Sequence, residues 1–167
     1  MLREGFGHHA WATRQLLDRC AALPADELMR EVPAIYGSVL ETFQHLVDAD
    51  AWYLFGITGH EFGEDVPDKT QLSFDDVAVL ADRNAQQWQI LLSRDLDPDE
   101  EIEVTHDDGS RTVATLGVRL AQALHHGSDH RSQVSTALTV LGHPADEFDV
   151  WAWGETVGLC RDLPTTS

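Results

Sequence analysis

The chain is nearly devoid of lysine: Lys69 stands alone, and arginines make up the rest of its 11 basic residues against 29 acidic ones. The resulting formal charge of −18 repels phosphate backbones, which argues against a nucleic-acid or anionic-membrane surface. Cysteine is scarce as well. Cys20 and Cys160 are too few to staple a chain of 167 residues, and nothing requires them to pair. No stretch approaches the roughly 18 continuous apolar residues of a membrane span. The start has no apolar signal-peptide core, because Arg3, Glu4 and histidines interrupt it. These absences predict a soluble cytoplasmic protein. Repeats, low-complexity tracts and Ser/Gly linkers are missing too, so one domain over 1–167 is expected.

Familiar catalytic motifs are equally absent. Gly127, not glutamate, follows His126, which excludes an HExxH metallopeptidase. The paired Glu-x-x-His motifs of di-iron bundles do not occur, nor do GxSxG, Walker A or GxGxxG.

What is present is helical periodicity. Apolar residues recur at three- and four-residue steps from about Arg3 to Leu23 (Phe6, Ala10, Thr13, Leu17, Cys20), and Pro24 ends the run. A short turn or extra helical piece follows in Ala25–Val32. The second long helix opens on a capping box at Ser38–Glu41, carries Phe43, Leu46, Ala49 and Tyr53, and stops near Gly56 or Gly59. Gly59 to Gln71 reads as an acidic loop. The third helix runs from Ser73 to about Asp95, burying Val77, Leu80, Ala81, Trp88, Leu91 and Leu92. Glu101–Thr105 alternates as a strand, Asp108-Gly109 signals a hairpin turn, and Arg111–Val113 returns. The fourth helix spans Thr115 to Leu141 and stops at Gly142 with Pro144 beyond. A short aromatic helix in Glu147–Gly158 closes the chain. The pattern predicts an all-α four-helix bundle with a small β-hairpin before the last long helix.

Nine histidines are the unusual count. The stripe of the fourth helix is Leu116, Leu120, Ala123, Gly127, His130, Val134, Ala137, Leu141. His130 takes an apolar place, and His126 lies one turn earlier, so both rings face the interior. Residues four apart have Cβ atoms about 5–6 Å apart, within reach of one ion with metal–nitrogen bonds of about 2 Å. Gly127 between them is expected to leave space beside the rings. A third ligand is wanted, and His45, at the edge of the second helix's buried face, is the best candidate. Asp48 and Glu41 lie within a turn, either able to orient its ring. His125 and Asp129 fall about 100° away from His126 around the helix. His60, His106 and His143 read as solvated, and His8 and His9 as surface residues of the first helix, a pocket-lining role being the alternative. Trp151 and Trp153 read as packing residues that could otherwise roof a pocket. Arg131 and Gln133 read as structural or interface residues, a substrate role being the alternative.

His45 within ETFQHLVDADAW, followed by His126-Gly127-Ser128-Asp129-His130-Arg131-Ser132-Gln133, resembles the DinB/YfiT-like superfamily of metalloenzymes. The resemblance implies a left-handed up-down-down-up bundle, usually a homodimer, with a divalent metal on His45, His126 and His130. Relatives such as mycothiol-dependent maleylpyruvate isomerase and bacillithiol transferases imply a thiol-dependent S-transferase or isomerase acting on a small electrophile. A metal-dependent hydrolase, a non-enzymatic metal- or ligand-binding stress protein and a plain dimerisation module are the alternatives. Imidazole ligands accept zinc, nickel, iron or copper, zinc and nickel being favoured. A small-molecule substrate with a low-molecular-weight thiol is the partner expected; nucleic acid and membrane are not.

Overall fold

The computed structural model describes residues 2–33, 35–62, 72–106 and 108–163. Among the described residues, six α-helices and one hairpin follow each other: α1 (Leu2–Cys20), α2 (Ala25–Leu28), α3 (Val39–Thr58), α4 (Phe74–Leu92), β1 (Glu101–Thr105), β2 (Arg111–Thr115), α5 (Leu116–Val140) and α6 (Val150–Thr156). Residues 63–71 of the expected acidic loop lie outside the described residues; its beginning forms a short 3-10 turn, Gly59–Glu61.

Local chemistry fixes the helix starts. Ser38 accepts from the Glu41 amide while Glu41 returns a bond to the Ser38 amide, and Ser73 and Asp76 repeat the device on α4. Each box supplies partners for amides that a first turn leaves unsatisfied. At the far end of α5, Gly142 has a φ of +88°, a left-handed conformation that favours glycine and ends the helix. The sequence reading runs α1 three residues too far, to Leu23, and stops the return strand two short, at Val113.

The four long helices bury two apolar clusters. The first joins Leu16, Leu17 and Cys20 of α1 with Val39, Phe43, Leu46 and Val47 of α3, Val77 and Leu80 of α4, and Val134, Ala137 and Leu138 of α5. The second joins Phe6, Leu54, Trp88, Leu91, Leu92, Leu116, Leu120 and Ala123. The end of α1, the starts of α3 and α4 and the end of α5 therefore meet in one cluster, and the opposite ends meet in the other. That arrangement is up-down-down-up. Both α1 and α3 pack on α4 and on α5, which sets α1 and α3 on one diagonal and α4 and α5 on the other.

The hairpin pairs Ile102 with Ala114 and Val104 with Thr112 in antiparallel register. It is tied to the bundle rather than hanging free. Arg119 of α5 donates to the Ile102 carbonyl (3.0 Å) and to that of Thr112 (3.4 Å), and Val104 is buried beside Gly56 of α3. Among the described residues, no helix is long and apolar enough to cross a membrane.

Between the apolar clusters lies a polar layer. His9 and Thr13 of α1, Asp50 of α3, Asn84 of α4, and His130 and Arg131 of α5 are all buried, in places their helical stripes would give to apolar residues. Buried polar groups are costly unless bonded. This layer positions everything that follows.

Candidate metal centre

Two helices bring three imidazoles together. His45 comes from α3, and His126 and His130 from α5. One ligand atom from each lies within 4.8 Å of the others. His126 Nε2 is 3.1 Å from His45 Nε2 and 3.1 Å from His130 Nε2. His130 is buried, and the other two are half-buried.

The protonation of His130 follows from its neighbours. Gln133 Oε1 lies 3.2 Å from the Tyr36 amide nitrogen, which can only donate, so that Gln133 atom is the carbonyl oxygen. The same oxygen is 3.1 Å from His130 Nδ1, which must therefore carry its ring proton and donate it. Neutral His130 then points a lone pair from Nε2 into the cluster. His126 Nε2 holds either a proton or a lone pair, never both, so it cannot bond properly to both neighbours as donor and acceptor. Its Nδ1 is buried without a hydrogen-bond partner among the described residues. Burial, reinforced by His130 and His45, pushes the His126 imidazolium down to about 4. The ring is neutral at neutral pH, as a ligand must be.

The donor set fits a divalent cation. Two nitrogens each about 2 Å from one tetrahedral ion sit about 3.3 Å apart, close to the two separations of 3.1 Å. A cation between the rings turns facing lone pairs from a repulsion into bonds. Three neutral protein ligands also leave the ion's charge uncompensated and a coordination position open, the pattern of catalytic sites.

Aromatic rings border the cluster. Tyr36, 45% exposed, stacks on His45 with centroids 4.4 Å apart and meets His130 edge-on at 6.0 Å. Tyr53 meets His126 edge-on at 5.6 Å and shares a 3.3 Å contact with Gln122. The sequence places Tyr53 on the apolar face of its helix without tying it to the histidines, and the signal of Tyr36 is faint because it lies in the irregular segment before α3.

Other residues correct the sequence reading at some positions and agree with it at others. Glu41 is committed to the Ser38 cap rather than to His45. His9 is not a surface residue but 3% exposed, with Nε2 2.7 Å from Asp50 Oδ2. His8 is part-buried, its Nε2 2.7 Å from the Phe148 carbonyl, and burial lowers its pKa. His143 is half-buried, 2.7 Å from Glu27 Oε2. Arg131 is structural, 7% exposed and 2.9 Å from His9 Nδ1. The room at Gly127 serves His9 rather than the three-histidine cluster, since a Cβ there would come within 2.3 Å of His9 Cε1. Trp153 packs on Gly7, Trp151 is exposed, and both cysteines are free. His125 stays outside with Asp129, 3.2 Å away.

A family model for the DinB family matches residues 1–156. Protein DinB of Bacillus subtilis (strain 168) is 17% identical over 151 residues, which cover 86% of this chain and 88% of that protein. The chain belongs to the DinB family.

Proposed function

We propose that this DinB-family chain binds one divalent metal ion through His45, His126 and His130, and uses it to join a low-molecular-weight thiol to a small electrophile or to isomerise one. The supporting observation is the meeting of three Nε2 atoms from two helices, with His130 held in the ligating tautomer by Gln133. A divalent ion there supplies Lewis acidity, lowering the pKa of a thiol or water that coordinates it. The chain's own groups do the rest. Gln133 keeps the His130 proton on Nδ1. The shared Gln133 oxygen also anchors the Tyr36 amide, so the ring stacked on His45 is fixed by the residue that orients His130. Tyr36 and Tyr53 give the cluster apolar walls, which suit an uncharged carbon electrophile better than a free anion.

Elemental analysis of protein purified without a histidine tag, then a screen of thiols against electrophiles, tests this. About one equivalent of zinc or nickel is expected, with turnover that disappears in His126→Ala. Metal without turnover leaves a sequestering protein, and absence of metal overturns the site itself.

A further inference from the structure

The buried group on the other side of α5 contains its own chain of contacts. Asp50 Oδ2 lies 2.7 Å from His9 Nε2, and His9 Nδ1 lies 2.9 Å from the Arg131 guanidinium. A guanidinium only donates, so Nδ1 accepts and the ring proton sits on Nε2, pointed at the carboxylate. His9 is therefore neutral and bridges an ion pair between Asp50 of α3 and Arg131 of α5. Arg131 also reaches Thr13 Oγ1 at 3.4 Å, and Thr13 donates to the His9 carbonyl at 2.8 Å. A cavity of about 20 Å³ lined by His9, Thr13 and Asp50 adjoins the unit, with room for one water molecule.

The placement relative to the metal cluster is close. Arg131 directly follows the ligand His130. Gly127 directly follows the ligand His126, and a Cβ on it would fall 2.3 Å from His9 Cε1 and 2.6 Å from Nδ1. The His9 ring thus rests on the α5 backbone between the two ligands of that helix. Asp50 sits five residues beyond His45 on α3. A metal site tolerates only a few tenths of an ångström of ligand error, and α3 and α5 have no covalent reason to hold that register.

We propose that Asp50, His9 and Arg131 form a positioning unit that sets α5 against α3, so that His126 and His130 meet His45. This rests on the metal-binding reading above. Charge pairing draws the two helices together, and the ring between them fixes the spacing. Glycine at 127 is required because His9 occupies the place of a side chain.

The test is Co²⁺ titration of the metal-free full chain, followed by its visible absorption, with Zn²⁺ affinity from chelator competition and urea midpoints measured in parallel. His9→Leu should weaken both metals about 10- to 100-fold, the range for groups that orient ligands, and alter the Co²⁺ spectrum. Leu17→Ala, a destabilising control in the apolar cluster away from the site, should lower the urea midpoint yet leave affinity within about twofold. His9→Gln, which keeps one donor and one acceptor, should recover part of the loss, and it carries the test if His9→Leu does not fold. Gly127→Ala should weaken binding in the wild-type background and cost far less once His9→Ala has removed the ring, the close contact that remains being the end of the Arg131 side chain at 2.9 Å. Undiminished affinity in the His9 variants, or affinity that merely follows the urea midpoint, overturns the positioning role alone. A wild-type chain that binds neither metal removes the metal reading together with everything built on it.

Discussion

The α3 side and the α1 side of α5 bury imidazole in two different ways. On the α1 side, His9 has both ring nitrogens satisfied, one by a carboxylate and one by a guanidinium. On the α3 side, His45 Nε2 and His130 Nε2 each lie 3.1 Å from His126 Nε2, whose single site cannot donate to one and accept from the other. Burial alone therefore does not separate a candidate ligand from a structural histidine; His9 and His130 are 3% and 8% exposed. The separation lies in what each nitrogen faces. A ring whose nitrogens face a carboxylate and a cation is complete as it stands. A group of rings facing one another asks for something between them.

The two sides should fail differently, and the largest effect belongs to the bridge. Arg131→Met leaves Asp50 buried without its cation, and breaking a buried pair from one side costs about 3–5 kcal/mol. Urea unfolding of the metal-free protein should show a loss of that order. His45→Ala, in the same assay, should change stability far less, because it leaves no charge stranded, while elemental analysis shows the metal gone. Equal losses in the two variants would erase the distinction between the clusters.

Metal itself gives the next effect in size. A ligand that binds only the folded state, held at 100 times its dissociation constant, stabilises by about 2.7 kcal/mol. Thermal denaturation of the wild-type chain should shift upward on adding zinc and return on adding a chelator. His130→Ala should show no shift, although its α1-side bridge is intact. A shift that persists in His130→Ala would put the ion outside the three-histidine cluster.

The sequence made the three-histidine side legible and hid the bridge, for a physical reason. His126 and His130 share one helix face, so the 3.6-residue period alone pairs them, and His45 interrupts the edge of another stripe. Up-down-down-up order came only from resemblance, since helical periods carry no information about which ends meet. The bridge takes one residue from each of three helices, and no local spacing links His9, Asp50 and Arg131. Its traces were present all the same. Asp50 falls in step with Phe43, Leu46 and Leu54, and His9 with Phe6 and Thr13. A polar residue in the stripe of each long helix, halfway along, was the available signal. Gly127 pointed to a close approach, but the sequence could not say from which side.

The smallest expected effect is also the sharpest comparison, because it concerns adjacent residues of one type. His125 and His126 are neighbours, yet one turn angle of about 100° sends His125 into solvent beside Asp129, with 74% of its side chain exposed. His125→Ala should leave metal stoichiometry and affinity unchanged, whereas His126→Ala should abolish both, as read by elemental analysis and chelator competition. Loose chelation by a histidine-rich stretch would make little of that difference, since either ring could serve. If His125→Ala strips the ion, the metal is held at the helix surface and the interior convergence of the three rings has another purpose. If it does not, the orientation imposed by the fold, rather than the local abundance of imidazole, selects the ligands.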